Sequence, residues 1–462
     1  MDPQDIVGMP AVRIAAEVRA GRLSAAEVLD AHLTRIAERD PELNALPVVF
    51  GDRARREADA LDDARAAGAD PGPLAGVPFS VKESIDLTWS ATTQGWRGLA
   101  DARPAADAVV VRRVRAAGGI PIGRGNMSDF GMRWDTDNDL FGRTRHPSDA
   151  RRTVFGSSGG DAVAVAAGMV AIGLGNDFGG SVRLPASAVG VCGLRPSLGR
   201  VPRAAVTDGP VMLTLQQFSV NGPLARSVDD LALALSVLEG RDDDDPVSID
   251  VRPARDLPRR VAVTREPPGG ETDTDIRAGV DRAAAALSAA GWEVVDVDPP
   301  HLEEAAVLWR RLACTDMAIS LDPRELPMPL GRSATAFLRD STAAAQPYTS
   351  ADDYARAWAR RAVIAADWRR LQRDHPVILG PVATARLPLV DFDLGGGEAA
   401  TAAWRMLRLV VAVNFLGLPA VSVPAGTDRD GLPVGVQVIG PMHGDEWALA
   451  AARDIEGALI EG

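Results

Sequence analysis

The sequence has few of the residues on which disulfide, metal or histidine chemistry depends. Its 462 residues include two cysteines, Cys192 and Cys314, which form no CxxC or Cys/His pattern. The five histidines show no metal-binding spacing such as HExxH. We therefore expect no disulfide framework, no metal and no cofactor, and a reduced, cytoplasmic location.

Long apolar runs and an excess of positive charge are also missing. No segment approaches the roughly 18 consecutive apolar residues of a membrane span. Residues 1–21 lack the basic and apolar regions of a signal peptide. The net charge of −13 argues against nucleic acid or an anionic membrane as the principal partner. Together these features predict an ordinary soluble globular protein.

Lysine is the scarcest charged residue, because Lys82 stands alone beside 49 arginines. Such a skew is typical of a coding bias that uses arginine wherever only a positive charge is needed. Arginine keeps its proton above about pH 12, whereas burial and positive neighbours lower the pKa of a lysine. Lys82 is thus a candidate base, although the chance survival of one lysine explains the count equally well.

Helical and strand-like segments alternate along the chain, which predicts an α/β fold. A capping-box pattern at residues 24–27 marks the start of one early helix. The predicted elements, in chain order, are helices over 1–70, a strand at 77–81, a helix at 107–117, a strand at 119–123, helices at 162–174 and 223–239, a strand–helix–strand unit at 260–297, helices over 301–375, a loop at 392–400, two strands within 414–440 and a closing helix at 446–459.

Two glycine-rich loops carry the candidate nucleophiles. The loop 179–181 places Ser181 after two glycines, and the N–H groups of such a turn can form a nest for an oxyanion. The loop 156–160 supplies Ser157, and a neutral Lys82 acting through it would activate Ser181 without histidine. Spacing alone does not bring these residues together, and a capping serine in a glycine turn is the structural alternative.

Three segments resemble the signature blocks of the amidase-signature family. They are GPLAGVPFSVKESIDL (72–87), FGSSGGDAVAVAAG (155–168) and GNDFGGSVRLPASAVGVCGLRPS (175–197). The resemblance implies an amidase-signature fold, with a central mixed β-sheet covered by helices on both faces, in one domain of residues 1–462. The implied parts are N-terminal helices (1–70), a catalytic core (71–235), a variable substrate-side region (about 236–400, where the resemblance is weakest) and a C-terminal part of the core (401–462).

The resemblance also implies roles for single residues. Ser181 is the implied nucleophile, Ser157 the bridging serine, held by a cis peptide bond, and Lys82 the base. The implied oxyanion hole consists of the backbone N–H groups of Phe178, Gly179, Gly180 and Ser181. The positions that match loop-bracing residues of the family are Ser158, Asp177 and Arg183. The solitary lysine falls on the family's base position, which supports the resemblance independently.

Some positions depart from the family pattern. Phe155 replaces a usual glycine, Arg124-Gly125 stands where Lys-Thr is common, Asn176 replaces Thr, and His146 replaces Asn. A ring at position 155 is expected to narrow the pocket or to shield an acyl-enzyme from water. The candidate pocket residues, for an apolar or aryl acyl group, are Phe155, Met132, Trp134 and Trp309.

The function that the resemblance implies is hydrolysis of a small carboxylic amide through an acyl-enzyme on Ser181. One alternative is an amide-forming acyltransferase, which passes the same acyl group to an amine and is favoured by Phe155. A second alternative is the glutaminase subunit of a tRNA-dependent amidotransferase, which needs partner subunits. A homodimer is an open possibility.

Two other motifs suggest different chemistry. Residues 156–160 match the GxSxG elbow of α/β-hydrolases, with Ser158 as nucleophile, but no strand-like run precedes them. Residues 173–180 nearly match GxGxxG, but the third glycine is displaced by one position. Neither motif has its expected structural context.

Overall fold

The computed structural model describes residues 2–203, 211–252, 257–322 and 325–460. Within these ranges the chain forms sixteen α-helices and one eleven-stranded sheet. The helices are α1 (Pro3–Gly8), α2 (Ala11–Arg19), α3 (Ala25–Leu43), α4 (Gly51–Ala66), α5 (Val109–Ala116), α6 (Gly159–Ala166), α7 (Arg183–Val189), α8 (Leu213–Phe218), α9 (Val228–Leu238), α10 (Thr274–Ala289), α11 (Leu302–Ser320), α12 (Arg332–Ala345), α13 (Ala351–Asp374), α14 (Gly397–Met406), α15 (Arg408–Leu416) and α16 (Asp445–Ile460). The strands are β1 (Val48–Val49), β2 (Pro78–Lys82), β3 (Ile120–Gly125), β4 (Ile172–Asp177), β5 (Cys192–Arg195), β6 (Val220–Ala225), β7 (Arg260–Val263), β8 (Glu293–Asp296), β9 (Val377–Pro381), β10 (Ala420–Thr427) and β11 (Pro433–Ile439).

The sheet is mixed, with the strand order β1-β3-β2-β4-β6-β5-β10-β11-β9-β7-β8. Strand β2 pairs in parallel with β3 and β4, and β7 pairs in parallel with β8 and β9. The other neighbours are antiparallel. Strands β2, β3, β5 and β6 are buried at every residue, as expected where helices cover both faces. The predicted central mixed sheet is confirmed.

The sheet topology assembles the glycine loops. Because β2 and β4 are parallel neighbours, their carboxyl ends lie at the same edge of the sheet. Lys82 is the last residue of β2, and the loop with Ser181 follows β4. Ser157 and Ser158 directly precede α6, which packs against β2, β3 and β4. Strand pairing therefore brings together three segments that lie far apart in the sequence.

Two helices predicted from the sequence are too long, because each prediction included part of a strand. The helix predicted over 162–174 ends at Ala166, where Gly168 (φ +73°) breaks it, and β4 begins at Ile172. The alanine-rich half stays helical, whereas the Ile-Gly-Leu-Gly half fits between β2 and β6. The helix predicted over 223–239 begins only at Val228, with Ser227 as its N-cap, because the residues before it form β6.

The second half of the chain follows the predictions more closely. The strand–helix–strand unit is confirmed as β7, α10 and β8, with the two strands parallel. The helices predicted over 301–375 are α11, α12 and α13, and residues 323–324 of that range lie outside the described residues. The loop predicted at 392–400 is shorter, since α14 already begins at Gly397. Elements that were not predicted from the sequence include α7, β5 and α8 in the first half of the chain and β9 and α15 in the second half.

In the described ranges, no single helix is long and apolar enough to cross a membrane. Helices α14 and α15 meet the length and composition criterion only as a pair, and they are bent by 71° relative to each other.

The capping box of α3 yields a stability prediction. Ser24 Oγ accepts a hydrogen bond from Glu27 N at 3.0 Å, and Glu27 Oε2 accepts one from Ser24 N at 2.8 Å. Ser24→Ala removes the acceptor for Glu27 N, so the free energy of unfolding should fall by about 1 kcal/mol. Urea unfolding followed by circular dichroism measures this loss. Ser24→Asp retains a capping oxygen and should show little change; an equal loss in both variants would contradict the capping role.

Candidate active site

Two of the three residues predicted to form a relay, Ser157 and Ser181, line one cavity, and the third, Lys82, lies behind Ser157. Lys82 Nζ lies 2.7 Å from Ser157 Oγ, and the peptide bond between Gly156 and Ser157 is cis, as the resemblance implied. Ser158 N donates to Ser181 O at 3.2 Å, which ties the two glycine loops together. No hydrogen bond joins the hydroxyls of Ser157 and Ser181 in the described part of the chain, but both residues line the same cavity.

Lys82 is fully buried, and its surroundings favour the neutral amine. Burial lowers the pKa of Lys82 to about 7, although the charges of Asp161 and Asp177 oppose this change. A lysine with such a pKa is partly deprotonated at neutral pH and can accept a proton. The geometry and the electrostatics therefore both suit Lys82 to the role of a base.

Asn176 is a second partner of Lys82, which the sequence analysis noted only as a departure from the family pattern. Its Oδ1 atom accepts a hydrogen bond from Lys82 Nζ at 2.7 Å, and its Nδ2 atom donates to Ser84 Oγ at 2.6 Å. The contact to Ser84 orients the amide so that its oxygen faces the lysine. Position 176 lies on β4, next to the strand of Lys82, and that adjacency was not predictable without the strand order.

The predicted oxyanion loop offers three open N–H groups and not four. Among the described residues, the N–H groups of Phe178, Gly179 and Ser181 have no hydrogen-bond partner. Gly180 departs from the prediction, because its N–H donates to Asp177 Oδ1 at 2.9 Å. Gly180 has a φ of +96°, which favours glycine. This peptide group holds the turn in place, and the other three can face a developing oxyanion.

A buried ionic network supports this loop. Arg183 binds Asp177 through Nε (3.1 Å) and a terminal nitrogen (3.0 Å), and Asn414 Nδ2 also donates to the carboxylate at 2.8 Å. Arg195 donates to the Asp177 carbonyl at 2.8 Å. Burial alone raises the pKa of Asp177, but the arginines outweigh it and hold that pKa well below its usual range. Asp177 and Arg183 thus lie where the resemblance placed loop-bracing residues.

Two tryptophans hold the carbonyl groups of the oxyanion loop. Trp134 Nε1 donates to Gly179 O at 2.9 Å, and Trp309 Nε1 donates to Phe178 O at 3.2 Å. A Cβ atom on Gly179 would lie only 2.6 Å from the Trp309 ring, so the ring requires glycine there. Both tryptophans were predicted to lie in the pocket wall, but these hydrogen bonds were not predicted.

The cavity next to Ser181 has a volume of about 340 Å³ and a mostly apolar wall. Its aromatic and thioether lining includes Phe130, Met132, Trp134, Phe178, Trp309 and Phe337. Arg203 is the one charged side chain among the described residues that line it. Three of the four predicted pocket residues are therefore in the wall.

Phe155 is the predicted pocket residue that lies elsewhere. It is not part of the cavity wall, and its buried ring packs against Phe392 with 5.6 Å between the ring centroids. Its carbonyl accepts a hydrogen bond from Thr136 Oγ1 at 2.9 Å. The expectation that this ring narrows the pocket is corrected: Phe155 contributes to the core beside the loop of Ser157.

The nucleophile-elbow alternative finds no support in the geometry. Ser158 Oγ donates to the carbonyl of Asn176 at 3.4 Å, and none of the hydrogen bonds in the described ranges joins it to a histidine. Residues 149–153 form a turn and an isolated bridge at Arg152. Ser158 therefore has the contacts of a residue that braces the loop.

Several known proteins are similar to this chain in sequence and in fold. The family model for Amidase matches residues 27–449. The indoleacetamide hydrolase of Bradyrhizobium diazoefficiens is 34% identical over 461 residues, covering 96% of this chain and 86% of that protein. A glutamyl-tRNA(Gln) amidotransferase subunit of Halorhodospira halophila is 36% identical over 461 residues, covering 92% of each chain. A solved bacterial aryl acylamidase of the amidase-signature family has a TM-score of 0.85 at 27% identity, covering 97% of this chain and 96% of that one.

A match over most of the chain, together with the fold, settles the class of the protein. The chain belongs to the amidase-signature family. It is an enzyme that hydrolyses amide C–N bonds.

The Asp177–Arg183 pair yields a second stability prediction. Arg183→Met leaves the Asp177 carboxylate buried beside fewer donors, so the free energy of unfolding should fall by about 3–5 kcal/mol at pH 7. Because the folded-state pKa of Asp177 is depressed, its stabilising contribution exists above the unfolded pKa near 4 and is lost as pH falls further. The difference between wild type and variant should therefore shrink below about pH 4.

Denaturant unfolding at pH 7 and at pH 3.5 measures both effects. Arg151→Met is the matched control, because Arg151 forms an exposed ion pair with Asp149 and should leave stability essentially unchanged. Equal stability of wild type and Arg183→Met at pH 7 would contradict the supporting role of the network.

Proposed function

We propose that the enzyme hydrolyses a small carboxylic amide through an acyl-enzyme on Ser181, with Ser157 as proton shuttle and Lys82 as base. The observation that carries the proposal is the distance of 2.7 Å between the buried Lys82 amine and Ser157 Oγ. Ser181 lies in the loop that carries the open N–H groups of Phe178, Gly179 and Ser181, and it lines the same cavity as Ser157. A short movement of the two hydroxyls toward each other completes the relay when substrate binds.

In the first half-reaction, neutral Lys82 accepts the Ser157 proton while Ser157 accepts the proton of Ser181. The Ser181 oxygen then bonds to the amide carbon, and the carbonyl oxygen becomes an oxyanion facing the open N–H groups of Phe178, Gly179 and Ser181. The C–N bond breaks as the relay returns a proton to the leaving nitrogen. In the second half-reaction, water gives a proton to Lys82 through Ser157 and attacks the ester carbonyl. The ester C–O bond then breaks, Ser181 takes a proton back from the relay, and the acid is released.

The cavity wall favours an apolar or aryl acyl group. Its aromatic rings and thioethers offer dispersion contacts but few hydrogen bonds. The indole N–H groups of Trp134 and Trp309 are already bound to loop carbonyls, so these rings present apolar surface. The relative named indoleacetamide hydrolase supports the same class of acyl group.

A second candidate is the amidase subunit of a tRNA-dependent amidotransferase, which the relative from Halorhodospira halophila favours. Free glutamine carries an ammonium and a carboxylate, yet no acidic residue is among the described residues of the cavity wall. Acyl transfer to an amine loses its support from the sequence, because Phe155 lies outside the wall and cannot shield an acyl-enzyme there. Hydrolysis of an amide with an apolar acyl group is therefore better supported than either alternative.

Active-site labelling tests the relay directly. A fluorophosphonate probe should label wild type at Ser181, and the label should be absent in Ser181→Ala. Lys82→Arg cannot provide a neutral base, so labelling and amide hydrolysis should slow by about 10²- to 10⁴-fold. Intact-protein and peptide mass spectrometry measure site and extent. Ser187→Ala is the control, and a label that maps to Ser158 would overturn the proposal.

The pH dependence follows from Lys82. Only the neutral amine can accept a proton, so kcat/KM should rise about tenfold per pH unit below a midpoint near 7 and level off above it. Initial rates on an aryl amide between pH 5 and 9 measure the profile. A flat profile across this range, from enzyme shown to be folded at each pH, would contradict a lysine base.

The tryptophan contacts predict a separable effect on rate. Trp309→Phe keeps a ring in the wall but removes the hydrogen bond to Phe178 O, so kcat should fall about five- to tenfold with little change in KM. Phe337→Leu alters the wall without touching the loop and should change mainly KM. Steady-state kinetics on one aryl amide compare the two variants, and a pure KM effect in Trp309→Phe would refute the positioning role.

A further inference from the structure

Asp161 is a buried carboxyl group that the proposed relay does not use. It lies in the first turn of α6, and its side chain is inaccessible to solvent. Oδ1 accepts a hydrogen bond from Ser80 Oγ at 2.6 Å, whereas Oδ2 has no hydrogen-bond partner among the described residues. A buried carboxyl oxygen without a donor is unfavourable, which points to a role other than packing.

The strand register places this carboxyl group beside the stem of Lys82. Ser80, which binds Asp161, is two residues before Lys82 on β2 and so faces the same side of the sheet. Gly125 pairs with Lys82 across β2 and β3, and Gly173 pairs with Ser80 across β2 and β4. In the described ranges, no ion pair within 4.0 Å joins Asp161 and Lys82, so their interaction acts through space.

Gly125 provides the room that Asp161 occupies. A Cβ atom on Gly125 would lie 2.2 Å from Asp161 Oδ1, which is far inside contact distance. Gly125 does not have a positive φ, so its backbone conformation does not demand glycine. The carboxyl group of Asp161 therefore leaves no room for a threonine side chain at position 125.

Five of the six other charged groups near Lys82 and Asp161 form ion pairs of their own. The sixth, Asp86, is only partly buried and lies near Arg124 without an ion pair within 4.0 Å in the described ranges. The groups that face the pair from the packed elements are Glu83, Asp86, Arg124, Asp177, Arg183 and Arg195. Arg124 Nε lies 3.4 Å from Glu83 Oε1, and Asp177 is held by its arginines. Lys82 and Asp161 remain as two buried ionisable groups that no ion pair neutralises in the described structure.

We propose that Asp161 is a positioning residue whose negative charge sets the pH at which Lys82 becomes a base, and that Gly125 is the space-making partner of Asp161. The inference rests on the proposed relay, because it concerns the base of that relay. Asp161 touches neither substrate nor the reacting atoms. It acts on them only through the charge state of Lys82.

The sign of the effect follows from Coulomb's law. Burial raises the pKa of Asp161 to about 7, so its carboxyl group ionises in the same pH range as Lys82. Where it is ionised, the carboxylate stabilises the ammonium form and so opposes the lowering of the Lys82 pKa by burial. Without that charge, Lys82 loses its proton at lower pH, and the acid limb of kcat/KM moves to lower pH. If Asp161 instead held the proton and stayed neutral, a neutral replacement would leave the limb where it is.

The first experiment is the pH profile of kcat/KM for wild type, Asp161→Asn and Asp161→Glu on one aryl amide. Asp161→Asn should move the midpoint of the acid limb down by about one pH unit, and Asp161→Glu should keep it near the wild-type position. An unmoved limb in folded, active Asp161→Asn overturns the inference. Fluorophosphonate labelling of wild type at Ser181 is measured in parallel, so that failure of the relay itself is distinguished from failure of this inference.

Ser80→Ala keeps the inference testable if Asp161→Asn does not fold. The loss of the Ser80 hydroxyl removes a hydrogen bond that favours the ionised carboxyl, so Asp161 is less often charged. The acid limb should then move in the same direction by a smaller amount. A shift to higher pH, or no shift in folded enzyme, contradicts the inference.

A double-mutant comparison tests whether Gly125 makes room for Asp161. Gly125→Ala alone should lower the thermal midpoint, because its methyl group meets Asp161 Oδ1. In the Asp161→Gly background, Gly125→Ala should lower the thermal midpoint by less than half as much as it does in the wild-type background. Equal losses in both backgrounds would show that Gly125 does not make room for Asp161.

Discussion

The Asp177 carboxylate, buried at the end of β4, is the anchor on which the glycine loops depend. It accepts a hydrogen bond from Gly180 N and is held by Arg183 from α7 and by Asn414 from α15. Contacts with this one carboxylate therefore connect β4 to the loop that follows it and to helices α7 and α15. Because each partner also satisfies another buried group, the network is costly to break and fixes the turn in a single arrangement.

The same rule of pairing sets Lys82 apart, because it has no ion-pair partner within 4.0 Å in the described ranges. Arginine serves wherever the interior needs a permanent positive charge: Arg124 beside Glu83, and Arg183 and Arg195 beside Asp177. Lys82 instead has two neutral hydrogen-bond partners, Ser157 and Asn176. Neutral partners do not offset the free-energy cost of burying an ammonium ion, so burial lowers the pKa of Lys82 and favours the neutral amine. The single lysine of the chain and its neutral hydrogen-bond partners thus reflect the same physical constraint, the cost of burying an unpaired charge.

Part of this arrangement was readable from the sequence. The lone lysine and the glycine–serine blocks identified the residues around the cavity, and periodicity identified the β7–α10–β8 unit. The boundary between α6 and β4 was missed, because a run of alanine, valine and isoleucine is compatible with helix and strand alike. Asn176 was seen only as a departure, since its contact with Lys82 depends on the adjacency of β2 and β4.

The role of Trp309 was also beyond the reach of sequence patterns, and it bears on how the enzyme is organised. Its helix, α11, belongs to the region where the family resemblance is weakest, yet its indole N–H binds the carbonyl of Phe178 in the oxyanion loop. The same ring lines the cavity. One side chain therefore belongs to the cavity wall and also binds the loop that leads to Ser181. A change in the wall that displaces this ring also alters the loop, so we expect substrate preference and rate to change together.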